Sequence, residues 1–131
     1  MKRIEVVCAV IQNEKGELLI AKRKSKVANG VWEFPGGKVE AHETREEACI
    51  RECKEELNVD IAVDKFLLDF TDDELAVGVH VFAYAAHIIS GQIEYYAHSE
   101  GAWVTRSQLY DYGFQKADRC LLDYLQHTDV S

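Results

Sequence analysis

The chain is short of basic residues, has no long apolar run, and carries a single proline. Its 15 Lys and Arg stand against 23 Asp and Glu, a formal charge of −8. A broad electrostatic grip on a nucleic acid polymer needs clustered cations, and this charge argues against one. The one basic cluster is Lys22, Arg23, Lys24 and Lys26. No stretch of 18 apolar residues exists, so no membrane-spanning helix is expected. The opening residues carry a charge at Glu5 and too short an apolar run for a signal peptide, which makes a cytoplasmic location the expectation. Four cysteines, at 8, 49, 53 and 120, form no C-x-x-C pair, so reduced thiols are expected. The lone Pro35 stands directly before Gly36 and Gly37 and marks a turn.

What is there fits one folded domain over residues 1–131: 47% of the residues are apolar and 29% charged. Residues 5–11 and 18–22 read as strands joined by a turn at 13–16, together a hairpin. A polar loop over 24–31 precedes the short apolar stretch Trp32-Glu33-Phe34. Thr44 followed by Glu47 is a capping box; the helix it opens runs to Leu57 and exits at Asn58. Residues 61–70 and 77–89 read as strands, 91–92 as a turn, 93–96 and 101–104 as extended pieces. A helical turn over 107–112 and a closing helix over 118–126 complete the chain. Strands with two helices imply an α/β or α+β sandwich.

On the 44–57 helix, Glu52, Glu55 and Glu56 fall within roughly 100° of arc, with Ile50, Cys53 and Leu57 expected beside them as the anchor to a sheet. Such a stripe is either a solvated face or a set of oxygen ligands for a divalent cation. The glycine turn just upstream favours the second reading, because only glycine lets a backbone carbonyl come close to a metal.

The span from Gly37 through Glu43, Arg51, Glu52, Glu55 and Glu56 to Val59 resembles the Nudix box, the 23-residue loop-helix-loop of pyrophosphohydrolases, lacking only its usual final glycine. Six residues at fixed spacing match by chance on the order of 10⁻⁷ per starting point. The resemblance extends to MutT-like members through the opening strands, the run from Trp32 to Lys38, and Ala117-Asp118. It implies an α/β/α sandwich with a central mixed sheet and hydrolysis of a nucleoside triphosphate to the monophosphate and pyrophosphate. It further implies one to three Mg²⁺ or Mn²⁺ ions held by Glu52, Glu55, Glu56 and the Gly36 carbonyl. Glu52 is the candidate general base, and Glu43 with Arg51 is an ion pair that orients the ligands. The expected partner is the nucleotide, not a nucleic acid polymer or a membrane, for a monomer or homodimer.

Arg23, Glu33, Phe34 and Asp118 are the candidates to bind substrate. Arg23 stands where MutT-like proteins contact phosphate, or is an exposed strand-end cation. Phe34 is a stacking surface for the base or ordinary core. Asp118 occupies the place of an asparagine that reads an oxidised guanine in MutT; ionised, it only accepts, which suits a base with an exocyclic amine such as cytosine. It could equally cap the last helix.

Two places depart from the pattern. Ala97 stands where many relatives carry a late-strand glutamate; Glu100 could substitute, and His98 is either a water-side base or plain surface. From 71 to 79 no Arg or Lys appears where MutT has an arginine. ADP-ribose and dinucleoside polyphosphate hydrolases are disfavoured, since no proline follows the box and no tyrosine lies in 70–79.

Overall fold

The computed structural model describes residues 2–24, 30–74 and 76–128. Most of the loop expected over 24–31, with Lys26, lies outside these residues. Among them run β1 (Ile4–Ile11), β2 (Leu18–Arg23), β3 (Trp32–Glu33), β4 (Gly36–Lys38), α1 (Arg45–Leu57), β5 (Asp60–Asp72), β6 (Val79–Ser90), β7 (His98–Val104) and α2 (Arg119–His127). Two 3₁₀ turns, Ser107–Asp111 and Lys116–Asp118, lead into α2. No helix of the described residues is long and apolar enough to cross a membrane.

The strands form two sheets, ordered β4-β1-β6-β5 and β3-β2-β7. β1 runs parallel to β6, and every other pairing is antiparallel. The expected hairpin is thus only a turn. Asn13 Oδ1 accepts the amides of Lys15 and Glu17, and Gln12 bridges Leu18, but beyond that bridge β1 and β2 part into different sheets. The physical reason is burial on both faces: residues 7–11 and 18–21 are all buried, so each strand is the middle of a layer.

Alternation along β1 divides the interior in two. Cys8 and Val10 pack with Leu121, Leu122 and Leu125 of α2, whereas Val7, Ala9 and Ile11 pack with Ala48, Cys49, Cys53 and Leu57 of α1. The sheets therefore lie between the two helices, an α/β/α sandwich. All four cysteines are free thiols, three of them buried.

The helix α1 starts and stops for local reasons. The amide of Glu47 donates to Thr44 Oγ1 at 3.1 Å, and the Thr44 amide donates back to Glu47 Oε1 at 2.8 Å. Asn58 takes φ 61°, and its amide donates to the Lys54 carbonyl. Residues 93–96, expected as an extended piece, join no sheet; the amides of Glu94 and Tyr96 instead donate to the last carbonyls of α1, at Leu57 and Glu56.

The buried face of α1 is rotated from the expected one. Its buried residues are Ala48, Cys49, Cys53 and Leu57, while Ile50 is 40% exposed. At about 100° per residue, Glu52 and Glu56 both fall between Ala48 and Cys49. Those two carboxylates belong to the face turned toward the sheet, and Glu55 lies at its margin.

Candidate active site

Strand β4 pairs with β1, setting Gly36 opposite Cys8 and Gly37 opposite Val7, and α1 lies across this edge. A β-carbon at Gly36 would collide with the Val7 carbonyl oxygen, and one at Gly37 would meet the Glu52 carboxylate at 2.5 Å. The glycines are required by close approach. The Gly36 amide donates to Glu56 Oε1 at 3.3 Å, so strand and helix are joined, and the turn expected at Gly36 and Gly37 is instead strand β4, held extended by its pairing with β1.

Arg51 is the hub that sets the carboxylates. Its Nε and Nη2 bind both oxygens of Glu43, at 3.0 and 2.7 Å, and Nη2 also donates to the Lys38 carbonyl at 2.9 Å. Nη1 reaches Glu52 at 3.0 Å and Glu55 at 3.1 Å. One guanidinium thereby ties the loop to the helix. Glu43 is held below the usual carboxylate range by Arg51, and Arg51 is held above its own. Glu55 is the most open of the three helix carboxylates, its side chain 58% exposed. Among the described residues no three of His, Cys, Asp and Glu converge closely enough to hold a metal ion. Glu52 and Glu56 lie against β4; Glu55 is drawn off toward Arg51.

Burial raises both inner carboxylates. Glu56 is pushed up to about 7 by burial, with the neighbouring Glu52 and Glu33 adding to it and His98 and the Gly36 amide opposing. Burial also raises Glu52, against the bond from Arg51. Two like charges taken out of water side by side destabilise one another unless a cation stands between them.

Beside β4 opens a cavity of about 260 Å³ whose wall includes Gly36, Arg23, Glu33, Phe34 and Asp118. The substrate candidates from three separate segments thus share one space. Phe34 is 6% exposed and packs on Phe114, with ring centroids 5.4 Å apart, so it is core and cavity wall together. Asp118 precedes α2 but makes no capping bond and has helical backbone angles, which removes the capping role; its carboxylate instead lines the cavity. Burial pushes it up to about 6, with Glu33 adding and Arg23 opposing.

Two residues of the region, Asp72 and Cys8, escaped the sequence reading, and His98 was singled out but misplaced. His98, read as a water-side base or plain surface, is 3% exposed and its Nε2 lies 2.9 Å from Glu33 Oε2. Extending the 101–104 piece back by three residues, as β7 does, would have placed it in a strand. Asp72 and Cys8 also line the cavity, and nothing in their spacing pointed there. Glu100 is exposed, opposite Lys22 across the β2–β7 pair.

A family model described as the NUDIX domain matches residues 1–125. The chain belongs to the Nudix family. It is similar to a CTP pyrophosphohydrolase of Escherichia coli, 32% identical over 94% of this chain and 91% of that one. It is also similar to a putative 8-oxo-dGTP diphosphatase 2 of Mycobacterium tuberculosis, 36% identical over 85% of this chain and 80% of that one. The solution structure of the E. coli ORF135 protein superposes with a TM-score of 0.83 at 31% identity, covering 96% of this chain and 90% of that one. This Nudix protein is accordingly a hydrolase, with the α/β/α fold of its family.

Proposed function

We propose that the protein is a Mg²⁺-dependent nucleoside triphosphate pyrophosphohydrolase that adds water across one phosphoanhydride bond and releases the monophosphate and pyrophosphate. The observation that carries this reading is the apposition of Glu52 and Glu56 to Gly37 and Gly36, the two glycines that line the cavity together with Arg23 and Asp118. The named activities of the two relatives, on CTP and on 8-oxo-dGTP, support the triphosphate class.

The donor set suits a hard divalent cation, Mg²⁺ or Mn²⁺: every side-chain donor is a carboxylate, and the buried pair is short of positive charge. Glu52, Glu56 and the Gly36 carbonyl would hold it, and Glu55, paired with Arg51 in this structure, would have to leave that pair to join them. When bound, such an ion lowers the pKa of water and neutralises charge on the leaving phosphate. The remaining work belongs to this chain's own groups. Arg51, fixed by Glu43, sets the angles of Glu52 and Glu55. Glu52 takes the proton of the attacking water. Arg23 faces the phosphates, Glu33 fixes Arg23 through a 2.6 Å bond to its Nε, and Phe34 and Asp118 meet the base. An ionised Asp118 accepts from an amino group, which favours cytosine; a protonated one donates as well.

A second reading, a nucleotide-binding module of weak catalysis, draws on Ala97 at the late-strand glutamate place. The two are separated by ³¹P NMR of CTP incubated with the protein and Mg²⁺. The enzyme reading expects CMP and pyrophosphate without inorganic phosphate. Unchanged CTP with broadened phosphorus signals supports the module.

A further inference from the structure

The pairing of β2 with β7 is regular from Leu18 opposite Val104 to Lys22 opposite Glu100, and then skips Ser99, so that Arg23 stands opposite His98. Residues opposed across an antiparallel pair project from the same face of the sheet, and a skipped residue re-aims the side chain that follows it. On the other side of β2, Ala21 opposes Glu33. Arg23 and Ala21, two apart, share a face. The irregularity therefore brings Arg23, Glu33 and His98 onto one face beside the cavity.

Their contacts form a chain. His98 Nε2 lies 2.9 Å from Glu33 Oε2, and Glu33 Oε1 receives Arg23 Nε at 2.6 Å. Glu33 is thus held at both oxygens, one by a cavity-lining cation and the other by a ring withdrawn from solvent. The other ring nitrogen, Nδ1, is buried without a partner. A buried polar ring with one unpaired nitrogen packs less well than an apolar side chain of similar size, so packing alone does not account for it. Its bond to Glu33 does.

We propose that His98 is a positioning residue: it fixes the Glu33 carboxylate, and through Glu33 the direction in which Arg23 meets the nucleotide. This rests on the reading of Arg23 as a substrate contact. His98 does not touch the reacting atoms. Its loss is therefore felt in substrate binding and not in the chemical step, and only while Arg23 is present to be positioned.

Steady-state kinetics with CTP and with 8-oxo-dGTP, each with Mg²⁺, test this. His98→Phe is expected to raise KM about tenfold with kcat within about threefold of the parent. His98→Gln, whose amide can still donate to Glu33, should recover most of that loss. In an Arg23→Ala background, His98→Phe should add less than about twofold. Loss of kcat as large as the rise in KM, or a full further loss without Arg23, would overturn the proposal. A second arm needs no activity: the imidazole ¹⁵N signals of the parent should show Nε2 carrying a slowly exchanging proton that shifts in Glu33→Gln. An unchanged His98 signal would overturn the proposal as well. If the parent cleaves neither triphosphate, the function above fails, and the ¹⁵N spectra still decide the role of His98.

Discussion

Glu52 and Gly37 are so closely apposed that a single added carbon on the glycine would lie 2.5 Å from the carboxylate. Loop and helix form one surface there, and the two glycines secure it in different ways. Gly36→Ala would press on the Val7 backbone carbonyl, which cannot turn aside, so it should cost stability by several kcal/mol, on the scale of about 1–3 or more for overpacking. Gly37→Ala meets only the end of a side chain. It should melt near the parent temperature yet lose activity, because the group that must move is Glu52. Thermal melts and pyrophosphate release on the two variants check this; the reverse order of effects would separate the glycine pair from the carboxylate.

The rotation of α1 orders the three glutamates. Glu52→Gln and Glu56→Gln should each lower turnover by at least about 100-fold with the fold intact, since each removes a charge from the inner pair. Glu55→Gln, at the exposed margin, should cost clearly less. Circular dichroism and initial rates measured together decide the matter, and near-normal turnover in the first two would remove the metal face from the account.

Arg51 ties Glu43 and the Lys38 carbonyl to Glu52 and Glu55. Arg51→Lys keeps the charge but loses the fork that grips both Glu43 oxygens. Activity should fall about 10–100-fold, as for other partners that orient metal ligands, and the Mg²⁺ concentration giving half-maximal rate should rise. A variant with parental Mg²⁺ dependence would make the network structural only.

Much of this architecture was legible in the sequence. The capping box at Thr44 and Glu47 and the left-handed exit at Asn58 act within a few residues, so α1 was bounded correctly. The carboxylate stripe on α1 was legible for the same reason; the glycines were read as a turn, whereas Gly36 and Gly37 belong to strand β4 and are required there by close approach. What depends on partners distant in the chain was not. Nothing near β1 or β2 tells that the two part into separate sheets, nor that β7 skips Ser99 and buries His98. Ile50 looked like an anchor by character; which face of α1 is buried was settled by the sheet it meets.

Asp118 gives a pH dependence of known sign. Its folded value is raised to about 6 from an ordinary 3.8, chiefly by burial, so between those values the folded state binds more protons than the unfolded one. Stability contributed by this group is present below about pH 4 and is lost as pH rises through about 6. Two pKa units correspond to roughly 2–3 kcal/mol. Urea unfolding of the parent and Asp118→Asn should give similar stabilities near pH 4, with the variant gaining by about that amount near pH 8. Parallel profiles would show that Asp118 is not buried in solution. The same variant should change the ranking of bases more than the overall rate.

The most direct test of the account is product analysis by ³¹P NMR, scoring pyrophosphate from a panel of normal, methylated and oxidised nucleoside triphosphates and AMP with ribose 5-phosphate from ADP-ribose, in Mg²⁺ and then in excess chelator. The account predicts that one triphosphate is cut far faster than the others, that ADP-ribose is not cut, and that chelator abolishes the reaction. Release that persists in chelator, or no cleavage of any triphosphate while Mg²⁺ raises the melting temperature, would contradict it.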